Sequence, residues 1–236
     1  MNMNRIIVVI PYFGSLPEFF RFWIESAEQN RDVDFLLITD NDIDGRQNIK
    51  VLKIDFFSFK SKVQQKLGFP VSLDSPYKLC DYKPAYGYLF HEYISNYDFW
   101  GWCDIDLIFG RIRHFINDDI LANNDFISGW GHFSLVRNTV FCNTLFMQKH
   151  DGYLYYKDVY SSPANYVFDE YGHGGIGDVI RKKYANKLYE TDDFDDVFIP
   201  RLHLNFHAVR HHERSKYLIF KYNEGVLYRM YIHRGG

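Results

Sequence analysis

Apolar positions run unbroken over residues 6–10 (Ile-Ile-Val-Val-Ile) and stop at Pro11. Five β-branched residues with no polar face predict a strand covered on both sides, as in a parallel sheet. After Pro17 the period changes: Phe20, Trp23, Ile24 and Ala27 recur at three and four residues up to Asn30, which predicts an amphipathic helix. Residues 33–39 (VDFLLIT) read as a second strand, ending in the polar cluster Asp40-Asn41-Asp42, and residues 51–54 as a short third one. A helix is predicted over residues 57–68, carrying Lys60, Lys62 and Lys66, and another over residues 84–94, opened by Pro84. Residues 99–103 make an apolar aromatic strand that runs into Asp104-Ile105-Asp106. Strands alternating with helices imply a doubly wound α/β fold with a mostly parallel central sheet flanked by helices.

Beyond Asp125 the pattern breaks into short segments at residues 126–130, 133–136 and 142–147, punctuated by Gly and Asn, which reads as an α+β elaboration. No repeat, low-complexity tract or flexible linker separates the two parts. One domain over residues 1–236 is expected, with residues 1–110 as a ligand-binding half and residues 111–236 as an elaboration of it. Residues 228–233 look like a strand with no closing element after it, so a natural chain continuing past residue 236 is expected.

Composition narrows the partners. With 27 Lys and Arg against 30 Asp and Glu, the net charge of −3 provides no broad field for nucleic acid, so an anionic ligand must be held locally. Cys80, Cys103 and Cys142 are odd in number and lack a CxxC pair, which speaks against a disulfide framework and fits a reducing cytoplasm. No apolar run has the length of a signal peptide or a spanning helix, which leaves peripheral attachment to the inner face of a membrane open. The aromatic share of 19% reads first as a Phe-rich core, with some rings available for stacking on sugars.

Asp104 and Asp106 carry the most specific chemistry. Carboxylates at i and i+2 on an extended backbone point the same way and bracket one divalent cation through oxygen. Without a cation, a paired Lys or Arg, or water, two like charges beside a buried strand cost several kcal/mol each, as an order of magnitude.

Residues 99–110 (FWGWCDIDLIFG) resemble the Asp-x-Asp strand of GT-A fold glycosyltransferases, where the pair holds Mn2+ or Mg2+ against a nucleotide diphosphate. Residues 6–14 (IIVVIPYFG) are similar to the first strand and nucleotide-facing loop of that fold, and residues 77–87 (YKLCDYKPAYG) to the segment before its metal strand. Together with GHFSLVRN at residues 131–138, they look like a small group of bacterial polysaccharide-biosynthesis glycosyltransferases. The resemblance implies a GT-A-like fold and an enzyme moving a sugar from a nucleotide-diphospho-sugar, UDP-linked by preference, to a saccharide or lipid-linked saccharide acceptor. It further implies that Pro11, Tyr12 and Phe13 cradle base and ribose, that Asp40 meets the base, and that Lys78, Asp81 and Lys83 contact ribose or diphosphate. A surface salt bridge is the plainer reading of those last three.

Such enzymes often complete the metal site with a distant His or Asp. His203, His207, His211, His212 and His233 are available, with His207 preferred and surface or core hydrogen bonding as the alternative for each. His132 and Asn138 stand where related folds bind acceptor hydroxyls, although turn and capping roles suit them equally. Asp169 and Glu170, ahead of glycines 172, 174, 175 and 177, offer a carboxylate to deprotonate the acceptor or steady the donor, or else a plain helix N-cap pair. The glycines read as a flexible acceptor loop, since phosphate-loop spacing is missing. Two rivals remain: a sugar nucleotidyltransferase, disfavoured because PYFGSLPEFF lacks a basic Gly-rich loop, and a non-catalytic carbohydrate-binding protein.

Overall fold

The first apolar run is strand β1 (Ile6–Pro11), buried along all but its last residue. The computed structural model describes residues 3–129, 131–191, 193–194 and 218–231. β1 lies between two parallel neighbours, β2 (Asp34–Thr39) and β4 (Phe99–Cys103), and β3 (Ile49–Lys53) extends the β2 side in parallel. On the β4 side follow β6 (Phe133–Arg137), β5 (Phe126–Gly129) and β7 (Leu188–Glu190), giving the order β3-β2-β1-β4-β6-β5-β7. β6 runs antiparallel to both its neighbours, while β5 and β7 pair in parallel. The sheet is therefore mostly parallel, and the irregular second half supplies three of its strands. A separate antiparallel hairpin joins β8 (Leu218–Asn223) to β9 (Val226–Tyr231).

Both faces of the sheet are covered, which is why its strands read as continuous apolar runs. Alternate residues Ile7, Val9, Leu36, Ile38, Trp100 and Trp102 face one core layer, and Ile6, Val8, Ile10, Phe35, Leu37 and Phe99 face the other. The second layer takes Trp23 and Ala27 of helix α1 (Phe20–Glu28). The first takes Phe59 and Val63 of α2 (Phe56–Leu67), which Asp55 caps by accepting a 2.9 Å hydrogen bond from Ser58 N and which ends at Gly68 with φ +75°.

The single helix expected over residues 84–94 is a correction. A 3-10 helix, Pro76–Ala85, contains Pro84 and leads into two short turns, α3 (Tyr86–Leu89) and α4 (His91–Ile94), broken at Phe90 with φ −115° and ψ 25°. Pro84 has no N–H to donate and its ring crowds the carbonyl four residues back, so a regular α-turn cannot run through it. Shorter helices follow at α5 (Ile112–Phe115), α6 (Asp118–Asn123), α7 (Val140–Thr144), α8 (Tyr156–Ser161) and α9 (Ile176–Lys183). No helix among the described residues is long and apolar enough to cross a membrane.

β4 meets β6 closely because Gly101 has no side chain. A Cβ there would lie 2.0 Å from Ser134 O and 2.6 Å from Leu135 Cδ2. Gly101→Ala is expected to lower stability by about 1–3 kcal/mol, the usual cost of overpacking, as measured by urea unfolding. A variant as stable as the parent would contradict this packing.

Candidate functional site

The sequence leaves the centre of the sheet in opposite directions from β1 and β4, toward β2 on one side and β6 on the other. In open α/β sheets the crevice outside the carboxyl ends of two such strands is where ligands bind. β1 ends there at Pro11, followed by half-buried Tyr12, and β4 ends at Cys103, followed by half-buried Asp104.

The β1 loop is tied to the β2 loop. Asp40 accepts a hydrogen bond from Gly14 N at 3.1 Å, and Asn41 Nδ2 donates to Gly14 O at 2.8 Å. Gly14 has φ +94°, a turn that suits glycine. Tyr12 and exposed Asp40 therefore border the crevice mouth. Phe13 does not: it is buried, with its ring 4.9 Å from that of Phe59 and 5.2 Å from that of Phe56, so its apolar ring serves the core rather than a base-binding surface.

Beyond β4, the loop carrying both aspartates is anchored at its far end. Ser26 Oγ accepts from Phe109 N at 3.1 Å, and Asn30 donates to Gly110 O at 2.9 Å while accepting from Ile112 N at 2.8 Å. Asp104 N donates to His132 O at 3.0 Å, which locks the strand end to the turn before β6.

Lys83, at the end of the 3-10 helix, sits at the centre of an ionic cluster. Its Nζ is 3.0 Å from Asp104 Oδ1, 3.5 Å from Asp169 Oδ2 and 3.3 Å from Gly131 O. His132 Nδ1 lies 3.5 Å from the other oxygen of Asp104. Burial opposes the charge on Lys83, but the carboxylates of Asp169 and Asp104 outweigh it and hold the ammonium above the usual lysine range. For Asp104, burial is outweighed by the His132 hydrogen bond and the Lys83 charge, so its carboxyl lies below its ordinary value. Asp169 differs: its side chain is fully buried, neither oxygen has a hydrogen-bond partner, and burial pushes its carboxyl up to about 6 against the pull of Lys83.

Glu170 is half-buried, and its carboxylate lies over Gly131, where a Cβ would come within 2.9 Å of Oε1. Gly131 also has φ +90°, and its carbonyl reaches Lys83. In the sequence Gly131 is marked only as the first residue of the GHFSLVRN string, a glycine in the turn before β6.

Asp106 is exposed. Among the described residues, no group of three or more His, Cys, Asp and Glu side chains gathers to hold a metal ion. Carboxylates such as those of Asp104 and Asp106 are donors of the kind that Mg2+ or Mn2+ takes one or two at a time, with water and substrate phosphate completing the shell. Here both Asp104 oxygens face Lys83 and His132. His207, with His203, His211, His212 and His233, lies outside the described residues.

Three further expected ligand contacts are corrected. Lys78 and Asp81 are buried and paired at 2.7 Å, so they form an interior ion pair, neither a diphosphate contact nor a surface salt bridge. Asn138 donates to Ile94 O at 2.8 Å and Tyr97 O at 2.9 Å and accepts from Asn143 Nδ2 at 2.8 Å, which occupies its amide within the fold. The glycines after Glu170 serve close packing and turns: a Cβ on Gly175 would lie 2.2 Å from Phe168 O, and Asp178 accepts from Gly172 N and Gly174 N at 2.9 and 2.7 Å.

Neither curated proteins nor solved structures return a match to this chain. The profile of a family described only as being of unknown function, DUF6625, matches residues 8–236, and the chain belongs to that family.

Proposed function

We propose that this protein is a metal-dependent glycosyltransferase of the GT-A type, acting on a nucleotide-diphospho-sugar in the cytoplasm and serving surface-polysaccharide synthesis. The observation that carries the reading is the Asp104/Asp106 pair at the end of β4, where the strand order diverges, beside the Tyr12 and Asp40 loops. Asp106 and Asp104 would hold Mn2+ or Mg2+, which supplies neutralisation of the charge leaving on the diphosphate. Lys83 orients Asp104 and adds positive charge to the same pocket. Glu170 is the carboxylate that an acceptor hydroxyl can approach, and fully buried Asp169 stands behind it against Lys83. Deprotonation of the hydroxyl by Glu170 and attack on the anomeric carbon then release the nucleoside diphosphate.

Isothermal titration of UDP and GDP, with and without Mn2+, tests the donor site. Binding that requires the metal and disappears in Asp106→Ala is the expected outcome. Binding of neither nucleotide under any metal condition would sink the reading, and nucleotide-independent glycan binding would replace it with the non-catalytic one.

A further inference from the structure

Interior charges carry a desolvation penalty and are readily replaced by apolar pairs, so a fully buried Lys and Asp call for an account of what they hold. Asp81 accepts from Tyr166 N at 3.0 and 3.1 Å and from Phe168 N at 3.0 Å, as well as from Lys78. Lys78 also donates to Ala164 O and lies over the Tyr166 ring at 5.1 Å from its centroid. The pair thus grips residues 164, 166 and 168, the stretch that ends at Asp169.

Between the two gripped amides stands Val167 with φ +53°. A β-branched residue in the left-handed region is a true outlier, and it persists only where its surroundings over-determine it. The same 3-10 helix that carries Lys78 and Asp81 also carries Lys83, which meets Asp169 at 3.5 Å. One rigid element therefore supplies both the clamp on the chain before Asp169 and the cation facing it.

We infer that Lys78 and Asp81 are positioning residues, which hold the Val167 turn in its strained form and thereby set the Asp169 and Glu170 carboxylates against Lys83 and the Gly131 turn. This inference does not rest on the transferase reading, and its readouts need no substrate, so a failed nucleotide titration leaves it standing.

Two double variants separate positioning from mere filling of the interior. Lys78→Met with Asp81→Asn removes both charges but keeps an acceptor for the two amides; Lys78→Met with Asp81→Leu removes the acceptor. Asp169 is followed by carboxyl NMR titration, and Tyr166 and Phe168 by amide hydrogen exchange. The Asn variant should keep Asp169 titrating at about 6, as in the parent. The Leu variant should exchange the two amides at least about tenfold faster and bring Asp169 down by about one pH unit or more, toward an ordinary Asp. Identical titration and exchange in both variants would overturn the inference.

A second arm uses the parent fold, in case the Leu variant does not fold. Asp169 faces Lys83, Asp104 and Glu170, with Cys80, Tyr86 and Tyr160 also feeling its charge, and an opening that releases the clamp returns it to solvent. Ionisation then favours opening, so protection of the Tyr166 and Phe168 amides, corrected for intrinsic exchange, should fall as pH rises through 6, and Asp169→Asn should abolish that dependence. Protection that ignores Asp169 would refute the coupling. Val167→Gly, which adopts a positive φ without strain, should return the Leu variant partway to the parent titration; no return would count against the strained turn as the linking element.

Discussion

Asp169→Asn is expected to be more stable than the parent at pH 7.5 by about 3 kcal/mol, at roughly 1.36 kcal/mol per pH unit. Burial raises the carboxyl from its ordinary value of 3.8 to about 6 in the folded chain. A raised folded value means that the native state favours the protonated form. The stabilising contribution of Asp169 is therefore complete below about pH 4 and is lost as pH rises through about 6. Asn keeps the neutral shape at every pH, so the gain should be full above about pH 6, shrink below it and vanish near pH 4. Urea unfolding of both proteins across that range measures it; equal stabilities throughout would mean that Asp169 carries no buried charge. A substitution that stabilises a fold by deleting a charge points to a group kept for its chemistry, since functional sites commonly carry such costs. If the proposed transfer holds, the more stable variant should turn over more slowly.

Lys83→Met is expected to act in the opposite direction, with a loss of about 3–5 kcal/mol at pH 7.5, the range seen when one partner of a buried ion pair is removed. The Lys83 side chain is 12% exposed and its ammonium stands between Asp104 and Asp169, so its loss leaves two facing carboxylates without their shared cation. Lowering the pH protonates Asp169 first, because its carboxyl already titrates at about 6. The deficit should therefore be smaller at pH 5 than at pH 7.5, whereas titration of Lys83 itself belongs to strongly alkaline pH. The double variant Lys83→Met with Asp169→Asn should recover much of the loss, giving a coupling of about 1–3 kcal/mol in a double-mutant cycle. Strictly additive single effects would show that the two side chains do not interact.

Where the apolar pattern was long and regular, sequence and structure agree closely. Residues 6–10, 35–38 and 99–103 are apolar because both faces of those strands are covered, a demand imposed on each residue locally. Agreement weakens at residues 84–94, where helical spacing is present but Pro84 and the break at Phe90 divide the path. At Phe13, Lys78, Asp81 and Asn138, residue type misled: polar groups that read as ligand contacts or surface pairs are satisfied by partners within the fold, and an aromatic in a loop turned to the core.

The amino-acid sequence by itself determined the alternation of strands and helices, the covered centre of the sheet, and the acidic pair at the end of β4, because hydrophobic period and residue chemistry are properties of short segments. Only the tertiary structure decided that Lys83 stands between Asp104 and Asp169, that His132 meets the same aspartate, and that Asp81 grips the turn at Val167. Those contacts join residues 21 to 87 positions apart. Strand order and register bring such groups together, and neither is written in the chemistry of any one segment.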